Sequence, residues 1–287
     1  AAAVLPLLPT RVVRGLTAGM FELPAPRHAP AAACLKPAIV VTGASSGIGC
    51  DIARVAARDG LDLVLVARSR PALETLAAEI AGAGPAVHVF AADLCAPGTA
   101  DGLERFLDER GLYCDVLVNN AGTCFAGAAV RLGLDEQLAM LDLNVRVPTE
   151  LALRLLPGMA ARGRGGVLNV GSLGAYMAAP KMAVYHATKA YLWSLSESLS
   201  GELAGSGVTV TCVNPGVVRT PLVDRLPVKR DVFYDLTPTS TPAFTAAAAW
   251  RGFRRGAVVV IPSLRDHALA IMFRVLPRRL LPPVPFQ

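Results

Sequence analysis

Short apolar runs alternate along the chain with longer stretches in which apolar residues recur every three or four positions. Seven runs read as strands: Pro37–Val41, Leu61–Ala67, Ala86–Ala91, Asp115–Asn119, Gly166–Val170, Val208–Val213 and Ala257–Ile261. Runs this continuously apolar suit strands buried on both faces of a parallel sheet. Between them the pattern turns helical. Ile48, Ile52, Val55 and Ala56 mark a helix over Ile48–Asp59, and Pro71 and Pro242 sit where first-turn prolines belong. Two leucine-rich helices are expected, one from Leu134 to about Leu156 and one over Tyr185–Leu203. Strand and helix in alternation predict an α/β fold: a doubly wound parallel sheet of about seven strands with helices on both faces.

No repeat, low-complexity tract or linker interrupts residues 38–262, so the 287-residue chain is expected to hold one domain with an extension at each end, 1–37 and 263–287. Residues 217–244 carry Pro221, Pro227, Pro238 and Pro242 and read as a lid. In the first extension, Leu8, Val12, Leu16 and Met20 form a short helical stripe. No run approaches the ~20 apolar residues that cross a bilayer, and no cationic start precedes an apolar segment as in a signal peptide. From Arg251 onward seven arginines face Asp266, a net of +6 that equals the formal charge of the whole chain. There Leu264, Ala268, Ile271, Met272 and Val275 form one helical face, with Arg274, Arg278 and Arg279 outside it and Pro277 at its end. Such a tail either meets an anionic membrane surface or folds over the protein's own body or a neighbouring subunit. Nucleic acid is a poorer partner, because the basic patch lacks interleaved aromatics and any recognised motif.

Six cysteines show no Cys-x-x-Cys pair and no His-paired spacing. They are expected to be reduced core residues of a cytoplasmic protein, and no metal is predicted. His186 is expected at the surface or in a subunit contact.

The chemistry concentrates in two places. Thr42-Gly-Ala-Ser-Ser-Gly-Ile-Gly49 joins a strand to a helix. Glycines at 43, 47 and 49 allow a tight turn and close approach to a pyrophosphate, with the helix N-terminus beyond it. The competing reading is an ordinary glycine-rich turn, since this spacing differs from Gly-x-Gly-x-x-Gly. Far downstream, Tyr185-His-Ala-Thr-Lys189 sets a phenol and an ammonium one helical turn apart. Alone, this could be a solvated surface pair.

Taken together, and with the motifs between them, these residues resemble the short-chain dehydrogenase/reductase family. The resemblance runs from about Lys36 to Ile261 and follows the family's order. Its motifs are Thr42–Gly49, Ala92-Asp93-Leu94, Asn119-Asn-Ala-Gly122, Asn144, Ser172, Tyr185-x-x-x-Lys189, and Asn214-Pro-Gly216 leading to Thr220. Gly171-Ser172 departs slightly, since many relatives carry two serines there. The resemblance implies a nicotinamide cofactor held by Gly43, Ser45, Ser46, Gly47, Ile48 and Gly49. It further implies Asp93 and Leu94 flanking the adenine, Asn119, Asn120, Ala121 and Gly122 on the adenosine side, and the 215–220 segment at the carboxamide (Pro215, Gly216, Val218, Thr220). Lys189, like Tyr185, would also contact the cofactor, through the nicotinamide ribose.

Ketone reduction places negative charge on an oxygen that then needs a proton. Tyr185 is the expected acid, with Lys189 lowering a phenol pKa that is ordinarily about 10. Ser172 is expected to hold the carbonyl oxygen, and Asn144 to order a proton path to Lys189. The second strand ends at Ala67-Arg68 where an NAD enzyme usually places an acid. Arg68 would meet a 2′-phosphate, so NADPH/NADP+ is expected. Phe125, Leu173, Met177, Met182 and the lid suit a small hydrophobic ketone or ketoacyl-type substrate. Competing functions are NAD(P)-dependent oxidation of a hydrophobic, steroid-like secondary alcohol, and a catalytically silent dinucleotide sensor. Surplus apolar residues on the two leucine-rich helices (Tyr191, Leu192, Trp193, Leu195 and Leu199 on the second) imply a homodimer or homotetramer.

Overall fold

The computed structural model describes residues 35–82, 84–226 and 239–275. The expected stripe Leu8–Met20, the middle of the expected lid and the arginines at 278 and 279 lie outside them. Seven parallel strands form one sheet: β1 Lys36–Thr42, β2 Asp62–Ala67, β3 Val87–Ala91, β4 Leu112–Asn119, β5 Gly165–Val170, β6 Val208–Val213 and β7 Val259–Val260. Their spatial order is β3-β2-β1-β4-β5-β6-β7. The chain winds outward from β1 in one direction and from β4 in the other. That reversal opens a crevice beyond the carboxyl ends of β1 and β4, where doubly wound folds bind their ligands.

Alternate residues of each strand feed two cores. Ile39 and Val41 of β1 and Leu63 and Leu65 of β2 pack with helices α1 (Gly47–Ala56), α2 (Arg70–Ala81) and α8 (Pro242–Arg254). Ala38, Val40, Val64 and Val66 point the other way, toward α3 (Thr99–Asp108), α5 (Val147–Arg162) and α6 (Ala183–Glu202). Both faces are thereby dry, which accounts for the continuous apolar runs in the sequence. The remaining helices are α4 (Leu134–Leu141), α7 (Pro221–Asp224) and α9 (Leu264–Val275). Pro71 and Pro242 occupy first turns as expected.

Two local expectations need correction, and two further positions are specified. The helix from Leu134 is not continuous: a π-helical turn, Asp142–Arg146, separates α4 from α5. The last strand is two residues long rather than five, and it pairs only with β6 at the sheet edge. The apolar stripe of α9 faces largely outward, with Leu264, Ile271 and Val275 exposed and Asp266 and Ala270 buried. His186 is half-buried, its Nδ1 lying 2.9 Å from the Met177 carbonyl oxygen, and burial lowers its pKa. Among the described residues no helix is long and apolar enough to cross a membrane.

Candidate active site

At the carboxyl end of β1, Thr42 ties the crevice together. Its hydroxyl donates to the Val118 carbonyl at 2.9 Å and accepts from the backbone N–H groups of Asn120 and Ala121 at 3.0 and 3.1 Å. Asn120 Nδ2 answers by donating to the carbonyls of Thr42 and Gly43, at 2.9 and 3.1 Å. This lacing leaves no room for a Cβ at Gly43, where φ is +65° and Asn120 Nδ2 would lie 2.7 Å away, nor at Gly49, which faces the same amide. Gly47, at φ +60°, backs onto Thr220. The loop leads into α1, whose first turn holds no acid and whose N-cap Ser46 makes no side-chain cap. The helix N-terminus thus presents amides that a pyrophosphate would satisfy. The cradle fits a dinucleotide.

The other expected residues converge from β5, α6 and the π-helical turn. Lys189 is buried, and its Nζ donates to the Val170 carbonyl at 2.8 Å, two residues before Ser172. Ser172 is held in turn: its N–H donates to Asn214 Oδ1 at 3.1 Å, and its hydroxyl accepts from the Gly174 N–H at 3.0 Å. A hydrogen bond also joins it to the Tyr185 hydroxyl. Asn144 is buried. Its Oδ1 accepts from the Thr123 N–H at 2.9 Å, and its Nδ2 donates to the Thr123 carbonyl at 2.9 Å and to Thr188 Oγ1 at 3.2 Å. A Cβ at Gly122 would stand 3.2 Å from Asn144 Oδ1 and 3.8 Å from Lys189 Nζ. Asn144, Ser172, Tyr185 and Lys189 therefore surround one small volume. A π-helical turn at such a place is common at functional sites.

Electrostatics depart from expectation at Tyr185. Burial drives the phenol pKa well above its ordinary value, the nearby Cys124 adds to the rise, and only the Ser172 hydrogen bond opposes it. The Lys189 charge does not offset the rise: its Nζ donates to the Val170 carbonyl and stands 5.8 Å from the centroid of the Tyr185 ring. Burial pushes the Lys189 ammonium down to about 8. Cys124, read from the sequence as a core residue, is a buried neighbour of both, and burial lifts its thiol to about 12. Thr188 and Asn214, which stand within the Tyr185–Lys189 and Asn214–Gly216 motifs, take supporting roles here that those motifs do not state, and Thr123 joins them. Nothing in their local pattern signals it, since each is engaged by a residue 21 to 44 positions away.

The remaining expected cofactor residues line the same crevice edge. Arg68 is exposed just past β2, and the Val66 carbonyl accepts from Ala44 of the glycine loop at 3.3 Å. Asp93 is exposed past β3, its carboxylate accepting from Cys95 N–H at 2.9 Å, and Leu94 is buried beside it. Ser45 and Ile48 lie in the loop and first turn of α1. Pro215 and Gly216 follow β6. Val218 is buried and bridges to Ser240, and Thr220 begins α7 against Gly47. Gly171 has no space for a serine side chain, since its Cβ would meet Asn214 and stand 2.9 Å from Cys212 Sγ.

A fold wound for a dinucleotide, with this quartet at its switch point, defines a nicotinamide-type oxidoreductase scaffold. The family model for short chain dehydrogenase matches residues 37–231, and the chain belongs to that family. Among curated proteins it is 35% identical to the oxidoreductase UcpA of Escherichia coli K12 over 188 residues, 65% of this chain and 71% of that one. Among solved structures it is similar to a short-chain dehydrogenase from Sphingobium yanoikuyae in complex with NADPH. That match has 32% identity and a TM-score of 0.72, covering 84% of this chain and 97% of the other. It is also similar to a bulky-bulky ketone specific alcohol dehydrogenase from Comamonas testosteroni. There the identity is 30% and the TM-score 0.68, over 87% of this chain and all of that one.

Proposed function

We propose that this chain is an NADPH-dependent reductase that converts a hydrophobic ketone or ketoacyl-type carbonyl to a secondary alcohol. The observation that carries the reading is the convergence of Ser172, Tyr185, Lys189 and Asn144 on one volume beside the glycine cradle. Bound NADPH would supply the hydride for the carbonyl carbon. Gly43 to Gly49, Asp93, Leu94, Asn120 to Gly122 and the 215–220 segment would hold it, and Arg68 would meet its 2′-phosphate. The Ser172 hydroxyl positions the carbonyl oxygen and stabilises the charge that develops there. Tyr185 gives that oxygen its phenolic proton, and its raised pKa keeps the phenol protonated until the oxyanion forms. Lys189 and Asn144 keep the wall in register through Val170, Thr123 and Thr188, and Lys189 lies where a proton returning to Tyr185 would be relayed. The same groups serve the reverse oxidation.

Support for the cofactor and substrate class comes from the two solved relatives, one holding NADPH and the other specific for bulky ketones. The direct test is a panel of hydrophobic ketones assayed with NADPH and NADH on the wild type and on Tyr185→Phe. General acid catalysis contributes roughly 10²- to 10⁴-fold, so the variant should lose turnover by about that factor while binding NADPH normally. Near wild-type turnover in Tyr185→Phe would sink the mechanism.

Two surfaces extend the proposal to partners. Leu138, Leu141, Leu153 and Tyr191 leave apolar area exposed on α4, α5 and α6, which supports a homodimer through that face. The outer stripe of α9, at Leu264, Ile271 and Val275, is exposed next to Arg265 and Arg274, which supports contact with an anionic membrane surface.

A further inference from the structure

The three residues that leave β6, Asn214-Pro-Gly216, are tied to the body at three points. Asn214 N–H donates to the Val260 carbonyl of β7 at 2.8 Å. The Pro215 carbonyl accepts from Leu173 N–H at 2.8 Å, next to Ser172, whose own N–H donates to the Asn214 side chain. Gly216 N–H donates to Asp266 Oδ2 of α9 at 3.4 Å. Pro215 has no amide to give, so Gly216 supplies the first backbone donor after Asn214, and its acceptor comes from a helix fifty residues away.

Asp266 is placed for this contact by its own local structure. The Ser263 hydroxyl accepts from Asp266 N–H at 3.0 Å and the Ser263 carbonyl from His267 N–H at 3.0 Å, so Ser263 caps α9 and sets Asp266 in its first turn. The helix N-terminus favours an acid there. Yet the side chain does not reach into water. Asp266 is only 5% exposed, and its carboxylate fills the space where a Gly216 Cβ would stand. Burying a carboxylate is unfavourable unless it is hydrogen-bonded, so a buried one aimed at a single loop marks that loop as what it holds.

The far end of α9 reaches the same loop by another route. The Arg274 guanidinium lies over the Trp193 ring at 5.4 Å, and Trp193 packs on Tyr176 with centroids 4.4 Å apart. The Tyr176 hydroxyl accepts from Asn214 Nδ2 at 3.1 Å. One helix therefore bears on both ends of Asn214–Gly216.

We propose that α9 sets the position of the Asn214–Gly216 loop and that Asp266 is the positioning residue through which it acts on cofactor binding. The inference rests on the reading that this loop holds the nicotinamide end of NADPH. Asp266 touches neither substrate nor cofactor in this role; it fixes the backbone that does.

The test is a fluorescence titration of NADPH against the full chain as wild type, Asp266→Ala and Asp266→Asn, with a melting temperature for each and kcat and KM once a substrate is found. Removing the acceptor leaves a half-buried N–H without its protein partner, and Asp266→Ala should weaken NADPH roughly five- to fiftyfold. Its KM for NADPH should rise by more than kcat falls. Asp266→Asn keeps an acceptor oxygen of the same reach and should stay within about twofold of wild type. Equal affinity in Asp266→Ala and wild type, both folded, overturns the inference; so does an equal loss in both variants, which would assign the effect to charge rather than to the bond. If the wild type binds no NADPH, the cofactor reading itself falls and takes the inference with it. Should Asp266→Ala not fold, amide exchange in the wild type decides. Slow exchange at Gly216 supports the clamp, and exchange at the rate of a free loop amide refutes it.

Discussion

Lys189 is the residue whose surroundings make the sharpest demand on pH. An ammonium enclosed beside Val170 is disfavoured by lost hydration, and burial pushes its pKa down to about 8 from an ordinary 10.5. Between those values the unfolded chain holds a proton that the folded chain has released, so this residue makes stability rise with pH from about 8 toward 10. Below 8 both states are charged and the full penalty of burying the charge is present. Lys189→Met has no proton to release. Unfolding by denaturant at pH 7 and pH 10 should therefore show the wild type gaining on the variant as pH rises; parallel stabilities would mean that Lys189 is not desolvated as the structure shows. Arg68 poses a question of cofactor rather than proton. It is exposed at the end of β2, where no acid takes its place. A hydrogen bond to a charged group contributes roughly 1.5–3 kcal/mol, or about ten- to hundredfold. Arg68→Ala should lose that much affinity for NADPH and much less for NADH, and equal losses would remove Arg68 from phosphate recognition.

At the scale of elements, what was legible in the sequence follows what was buried. The six longer strands were readable because both faces of the sheet are covered, so most of their positions are apolar. β4 begins three residues earlier than its apolar run, at Leu112. There Asp115 is a buried carboxylate held by both arms of Arg164 at 3.0 and 2.8 Å, a pairing that local composition does not announce. The π-helical turn was illegible for a different reason. Widening one turn leaves the spacing of leucines on either side nearly unchanged, so no periodicity reports it. The direction in which α9 turns was not legible, because Asp266 entered the sequence reading only as a charge. Its true partner is the Gly216 amide, and no pattern within 264–275 contains that information. The quartet Asn144, Ser172, Tyr185 and Lys189 was legible as motifs. Its supporting contacts, from Thr123, Thr188, Asn214 and Tyr176, depend on crossings of the sheet and were not.

For the whole molecule the open surfaces decide what the enzyme associates with. The sequence offered five apolar residues on α6 as surplus, but Leu192 and Leu199 turn into the core and Trp193 is engaged by Tyr176 and Arg274. What remains outward is Tyr191 at 39% exposure, together with Leu138, Leu141 and Leu153 on the neighbouring helices. Thr149 and Tyr191 lie within hydrogen-bond distance, 3.1 Å, so α5 and α6 present this surface as one unit. A two-fold axis through it would set these helices against their own copies in an isologous contact. The α9 stripe is less suited to self-pairing, because arginines beside it would face arginines, and an anionic surface would meet them favourably. Light scattering of the full chain at low concentration should give about twice the 29.9 kDa chain mass, and Leu138→Glu with Leu153→Glu should return it to one. In the same preparations, sedimentation with phosphatidylserine-rich vesicles should depend on Leu264 and Ile271 and fail with neutral vesicles. A monomeric wild type ends the dimer proposal, and equal sedimentation of Leu264→Glu/Ile271→Glu ends the membrane one.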